Sequence, residues 1–237
     1  MESRQVMQNM EAKRSLFLSH VIHGDTPMYA DEGAFSRTML KSIHDGDTAN
    51  SERWSMNNHT GTHIDCPRHF YKGAKSLTDF AAEFFIVDRA FHVDLADLCS
   101  PGLVFTPSHF ETRSIPPDIQ ALLLKTGFES YRGDRVYWEE GPGYAEELAD
   151  YFRRRFKQLR FFGFDSISLT SLQNRPLGKR AHLAFLGGDA PILPIEDMHL
   201  ADLASASRIR RLTVAPLQVD QADGSPVTVI AELADAS

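Results

Sequence analysis

Residues 59–70 read HTGTHIDCPRHF, and this stretch restricts the local fold more than any other part of the chain. His59 and His63 are four apart, as two ligands on one helix face would be. A helix is nevertheless disfavoured, because Gly61, the β-branched Thr60, Thr62 and Ile64, and then Pro67 all oppose it. An extended segment is expected instead. Side chains of a strand alternate faces, so His59, Gly61, His63 and Asp65 project to one side, joined by His69 if the extended path continues past Pro67. Thr60, Thr62 and Ile64 face the other way, and Cys66 reads as a small buried residue. On the polar face a larger side chain at position 61 would fill the space where two imidazoles converge, so the glycine reads as leaving room for an ion. Two neutral imidazoles and a carboxylate are a common ligand set for Zn²⁺ and also suit Mn²⁺ or Fe²⁺. A lone histidine is usually a satisfied core or surface residue, but three of the ten histidines and an aspartate at this spacing favour metal.

The rest of the chain narrows the class of protein. At 237 residues, 42% hydrophobic and 24% charged, it reads as one globular domain over residues 1–237, with residues 1–14 as a flexible N-terminal arm. A net charge of −7 argues against a nucleic-acid surface and for a small polar or neutral substrate. Arg153, Arg154, Arg155 and Lys157 share their helical pattern with acids and read as a solvated helix face. The first twenty residues contain no apolar core of a signal peptide, and no run of ~18 apolar residues exists to span a bilayer. A soluble, cytoplasmic protein without a membrane partner is expected. Two cysteines, Cys66 and Cys99, without CxxC spacing are expected to be free thiols.

Apolar runs at Leu16–Leu18, Phe84–Leu95, Leu103–Phe105, Leu122–Leu124, Phe161–Phe164, Leu212–Leu217 and Val227–Ile230 are strand candidates. The spacing of Tyr144, Leu148, Tyr151, Phe152, Phe156 and Leu159 predicts a helix over Tyr144–Leu159. A second helix is expected around Gly178–Leu186 and a short one near Ser76–Phe84. Many strands and few helices imply an α/β or α+β chain with a mostly buried mixed sheet.

The segment HTGTHIDCPRHF also resembles the HxGTHxDxPxHF signature of the cyclase family of metal-dependent hydrolases, which includes bacterial kynurenine formamidase (arylformamidase) and isatin hydrolase. LSHVIHGDTPMY, LLLKTG, FFGFDSISL, AHLAFL and PILPIEDMHL match further family segments in order, so the resemblance runs from about Leu18 to Leu200. It implies a swivelling β/β/α fold with a mixed sheet flanked by a few helices, assembled as a homodimer or homotetramer. It implies one or two Zn²⁺ or Mn²⁺ ions held by His59, His63, Asp65, His182 and Glu196, with Asp65 bridging and His69 as catalytic acid/base. The interval from His182 to Glu196 is slightly long for the family, leaving Asp189 and Asp197 as rivals, but Glu196 follows PILPI and precedes DM as expected. Tyr29 falls where formamidases carry an aromatic, often Trp, against the substrate ring. Asp165 matches a strand aspartate that orients ligands, while His20 and His23 lie near a segment that covers the pocket in relatives. His44, His92, His109 and His199 have no supporting pattern. The expected function is hydrolysis of an amide or lactam C–N bond in a small substrate, arylformamidase-like, with metal-activated water as nucleophile. The alternatives are metal-dependent cyclisation or dehydration of a polyketide-like substrate and a non-catalytic metal-binding module.

Overall fold

Leu122, Leu123 and Leu124, like Phe161 to Phe164, are apolar without alternation, the pattern of strands covered on both faces. In the computed structural model, which describes residues 15–29 and 35–234, they lie in neighbouring parallel strands at the centre of the molecule. The arm expected at residues 1–14 lies outside the described residues.

The strands are β1 Ser15–Phe17, β2 Ser36–Lys41, β3 Ser51–Ser55, β4 His63–Asp65, β5 Ile86–Val87, β6 Ala90–Asp94, β7 Val104–Phe105, β8 Ala121–Lys125, β9 Gly143–Tyr144, β10 Phe161–Phe164, β11 Leu193–Glu196, β12 Ile209–Pro216 and β13 Gly224–Leu233. Among the described residues four α-helices accompany them, α1 Ser108–Glu111, α2 Val136–Glu139, α3 Glu147–Arg155 and α4 Arg175–Leu186. The main sheet runs β5-β12-β13-β4-β11-β10-β8-β6, with β1 also paired to β13. Its β6-β8-β10-β11 half is parallel and the β11-β4-β13-β12-β5 half is antiparallel. β6 packs against β12, so the sheet nearly closes on itself. This is the mixed α/β fold that the resemblance implies.

Side chains from the two faces feed two apolar cores. Leu122, Leu124, Phe162 and Phe164 pack with Leu148, Phe152 and Phe185 from α3 and α4, while Ala121, Leu123 and Phe161 pack with Leu212, Val214, Val227 and Val229 of the C-terminal hairpin. Helix α3 is shorter than predicted, because Gly143–Tyr144 pairs with β7 as a strand before the helix begins. The segment near Ser76–Phe84 forms two single 3₁₀ turns, Leu77–Asp79 and Ala82–Phe85.

Arg153 and Arg155 do not form the solvated face that charge alone suggested. Arg153 donates to the carbonyls of Ala184, Phe185, Gly187 and Ala190, closing the end of α4, and Arg155 donates to those of Phe110 and Arg113. Both snorkel along the helix to bind carbonyls left open elsewhere. Arg154 is exposed. The β2–β3 hairpin has no counterpart among the strand candidates, since SRTMLK and SERWS carry too many polar residues for an apolar run. It is exposed along most of its length, with Met39, Leu40 and Trp54 open to solvent.

Candidate metal centre

Strand β4 carries His63, Ile64 and Asp65, all buried, between β11 on one side and β13 on the other. Strand alternation sends His63 and Asp65 to one face and Ile64 into the core. The extended geometry stops there. The chain turns at 58–59 and bends at Gly61 and Thr62, and Pro67–His69 is a single 3₁₀ turn that brings His69 back towards β4. The expectation of one continuous extended face from His59 to His69 is therefore corrected, although all four polar side chains still meet.

The reason for Gly61 is also corrected. Its φ of +65° is left-handed, and a Cβ there would lie 3.2 Å from Ile22 Cγ1. The backbone, rather than the space between imidazoles, demands glycine. The His59 and His63 rings do converge, with centroids 5.1 Å apart. His59 instead needs its room at Gly224, where any Cβ would overlap its Cε1. Thr62, on the opposite side, ties the turn down: its hydroxyl donates to the Asp197 carbonyl at 2.5 Å and accepts the His20 amide at 2.9 Å.

Glu196 ends β11 directly opposite His63 in the β4 register. His182 comes from α4, which Pro176 and the Asn174 cap start. His63 Nε2 is 3.3 Å from Glu196 Oε2 and 3.7 Å from Asp65 Oδ1, and His182 Nε2 is 3.4 Å from Asp65 Oδ2 and 3.5 Å from Glu196 Oε1. Each imidazole is oriented by its other nitrogen. His63 Nδ1 donates to the Gly61 carbonyl at 2.8 Å, and His182 Nδ1 to the Gly178 carbonyl at 2.9 Å. That fixes the tautomer and aims both Nε2 atoms at the carboxylates. Glu196 Oε1 accepts the Leu169 amide at 2.8 Å, and Phe70 stacks on His182 with centroids 4.7 Å apart.

The electrostatics suit a dication. Burial alone would lower the pKa of His63 and His182, but the facing anions outweigh it and raise them to about 9 and about 10. Burial works in the opposite sense on the acids, yet the imidazoles hold Asp65 well below the usual carboxylate range and Glu196 at about 2. Protons on the two rings thus neutralise the pair of buried carboxylates, a role a divalent ion fills as well. Asp65 Oδ1 is buried with no hydrogen-bonded donor; His59 Nδ1 is 2.9 Å away but not aligned to donate. An orphaned buried carboxylate oxygen between two imidazoles fits a ligand to a cation. Ligand atoms from His59, His63 and Asp65, and from Asp65, His182 and Glu196, form two groups each within 4.8 Å, sharing Asp65.

His69 lies beside these groups. Its Nδ1 is 2.9 Å from Asp223 Oδ2, and its ring is 4.3 Å from that of His59. Asp223 is also 3.4 Å from His59 Nε2 and accepts from Asn58 Nδ2 at 2.8 Å. Sequence reasoning missed Asp223, because Asp-Gly at the entry to a strand has the composition of an ordinary turn. A cavity of about 290 Å³ opens over the centre, lined on its less polar side by Met28, Tyr29, Phe70 and Ile167. Tyr29 is thus at the cavity with the histidines. His20 and His23 do not line it. Asp189 is exposed, and Asp197, at the cavity rim, is bound by both arms of Arg132 and by the Tyr137 hydroxyl. Asp165 accepts from the amides of Thr126 and Gly127 and the Thr126 hydroxyl, so it anchors the loop after β8 rather than orienting a ligand. Cys66 and Cys99 are free thiols, and burial pushes the Cys66 thiol up to about 12. The Cys66 thiol donates to the Asp223 carbonyl, away from the centre.

Residues 16–170 match the profile of the Cyclase family ("Putative cyclase"), and the chain belongs to that family. Kynurenine formamidase of Bacillus cereus is 29% identical over 208 residues, covering 87% of this chain and 88% of that protein. Among solved structures, isatin hydrolase A from Labrenzia aggregata, bound to benzyl benzoate, superposes with a TM-score of 0.78 at 23% identity, covering 98% of each chain. A "predicted metal-dependent hydrolase" from Bacillus stearothermophilus superposes with a TM-score of 0.69 at 22% identity, covering 92% of this chain and 97% of that one. At such identities the structural likeness establishes the fold.

Proposed function

We propose that the chain is a metal-dependent hydrolase of an amide or lactam C–N bond in a small aryl substrate. The observation that carries this reading is the convergence of His63, His182, Asp65 and Glu196 on one point beneath a cavity that also contains a carboxylate-held imidazole, His69. The relatives named kynurenine formamidase and isatin hydrolase support it.

His59, His63, Asp65, His182 and Glu196 would hold one or two ions, Zn²⁺ or Mn²⁺, with Asp65 offering one oxygen to each ligand group. When bound, a divalent cation supplies Lewis acidity, lowering the pKa of water toward neutrality and polarising a carbonyl. The protein's own groups do the remainder. Carbonyls of Gly61 and Gly178 hold the two Nε2 lone pairs in place. Met28, Tyr29, Phe70 and Ile167 offer an apolar wall for an aromatic ring and displace water from it. Asp223 holds His69 by Nδ1, leaving Nε2 to carry the proton. As water oxygen bonds to the carbonyl carbon and the C–N bond breaks, His69 takes the water's proton and returns it to the departing nitrogen.

The exposed apolar side chains of the β2–β3 hairpin support a homodimer or homotetramer. Among the described residues no helix is long and apolar enough to cross a membrane.

The test is a screen of N-formylkynurenine, isatin and related aryl amides with Zn²⁺ or Mn²⁺, run in H₂¹⁸O. Hydrolysis places one label in the new carboxylate. Turnover without label and with release of water would indicate cyclisation, and no turnover in fully metal-loaded protein would reject the reading.

A further inference from the structure

Three residues beyond Glu196, a second group of ligand-type side chains meets. His20 lies just after β1, Glu129 in the single 3₁₀ turn Phe128–Tyr131, and His199 in the loop after β11. One ligand atom from each lies within 4.8 Å of the others.

Part of this arrangement has an ordinary structural explanation. Glu129 Oε2 accepts the amides of Leu200 and Ala201 at 2.5 and 2.9 Å, and Oε1 is 3.0 Å from His199 Nδ1, which fastens the 128–131 turn to the loop after β11. His20 is different. Its Nε2 is buried without any hydrogen-bond partner. The acid that faces it, Asp197 Oδ1 at 4.0 Å, already accepts from Arg132 Nε and the Tyr137 hydroxyl. A buried imidazole nitrogen with no partner is costly, and structures rarely keep one without cause.

The surroundings favour a cation. The His20 and His199 rings are 5.0 Å apart and tilted by 50° rather than stacked. Asp202 Oδ2, 3.6 Å from His199 Nε2, lies on the other ring nitrogen from Glu129 and adds negative charge at the rim. Three carboxylates, Glu129, Asp197 and Asp202, face two cations, Arg132 and Lys125, leaving a net negative charge at this corner. Solvent reaches it through a surface cavity of about 500 Å³ lined by His20, His199 and Asp202.

We propose that His20, His199 and Glu129 form a second divalent-cation site separate from the centre around Asp65. Two imidazoles with a carboxylate suit a borderline metal such as Zn²⁺ or Ni²⁺. The ion would join the segment after β1, the 128–131 turn and the loop after β11, and so brace Asp197, the neighbour of Glu196. It has a structural role and does not depend on the hydrolase reading.

The experiment compares metal-stripped wild type with His20→Ala, His199→Ala, His182→Ala and the double variant His182→Ala/His20→Ala. Each is titrated with Zn²⁺, desalted and analysed for bound metal, with circular dichroism as the control for folding. His20→Ala and His199→Ala should each bind about one equivalent less per chain than wild type, and His182→Ala should retain an equivalent that the double variant loses. His20→Ala removes a nitrogen that accepts no hydrogen bond, so it leaves the fastening by Glu129 intact. Zn²⁺ should also raise the melting temperature of His182→Ala more than that of the double variant. Unchanged stoichiometry in both His20→Ala and His199→Ala would overturn the proposal. If His182→Ala does not fold, the comparison of wild type with His20→Ala alone decides. A failed substrate screen alongside the expected loss of one equivalent would reject the hydrolase and leave this site standing.

Discussion

Loading a divalent cation into the metal-free protein should expel about two protons. Without metal, His63 and His182 have pKa values raised to about 9 and about 10; burial opposes the rise, but Glu196 and Asp65 within 3.3–3.7 Å of their Nε2 atoms outweigh it. At pH 7.5 both rings therefore carry nearly a full proton on Nε2. Asp65, held well below the usual range, and Glu196, at about 2, carry none. Ligation uses the Nε2 lone pairs, so both ring protons must leave. Calorimetric titration of Zn²⁺ into stripped protein, repeated in buffers of different ionisation enthalpy, reads this number as a slope. The expected slope is about two protons per chain, falling to about one in His182→Ala. A buffer-independent enthalpy would refute the reasoning, as would an unchanged slope in the variant. The same shifts fix a stability window. Both folded pKa values lie above the ordinary 6.5, so the ring protons stabilise metal-free protein fully below pH 6.5, and that contribution is lost as pH rises through about 9 and about 10. The urea midpoint of stripped protein should fall across that window, and metal should flatten the fall.

Three further outcomes bear on individual residues. His69→Ala should keep its metal while turnover falls roughly 10²–10⁴-fold, and Asp223→Asn should keep its metal with a loss of about 10–10²; release of metal by His69→Ala as readily as by His59→Ala would make His69 a ligand. Gly61→Ala should lower unfolding free energy by about 1–2 kcal/mol in urea titration, the cost of a left-handed Cβ, and an unchanged midpoint would return the glycine to the role of spacer between imidazoles.

Much of the fold was legible because buried strands announce themselves: Ala121–Lys125 and Phe161–Phe164 sit where the unbroken apolar runs placed them. The β2–β3 hairpin was invisible for the complementary reason, since a segment that buries almost nothing has no pattern to show. At the centre, the grouping of His59, His63 and Asp65 could be read from their spacing. His182 and Glu196 could not, because helix α4 and strand β11 bring them in from more than a hundred residues away, and they entered through family resemblance. Asp223 escaped both routes. The geometry inside HTGTHIDCPRHF was misjudged where two special residues act: Gly61 turns the chain before β4 and Pro67 turns it after, so parity counting held only for the three strand residues between them. Arg153 and Arg155 show that charge on a helix does not say whether it faces water or another element's open carbonyls.

The three-residue strand β4 has a consequence for how the protein is made. It pairs with β11 and β13, the strands that deliver Glu196 and, next to Gly224, Asp223. None of these partners exists while the ribosome is still synthesising the first half of the chain. His59, His63 and Asp65 therefore wait through most of translation with their flanking positions empty, and each pairing closes a loop of more than a hundred residues at an entropic cost met only late. Metal uptake by the complete ligand set is then a report that synthesis has passed Glu196. A nascent chain stalled before β13 would display β4 as an open edge, available to whatever strand or chaperone it encounters first.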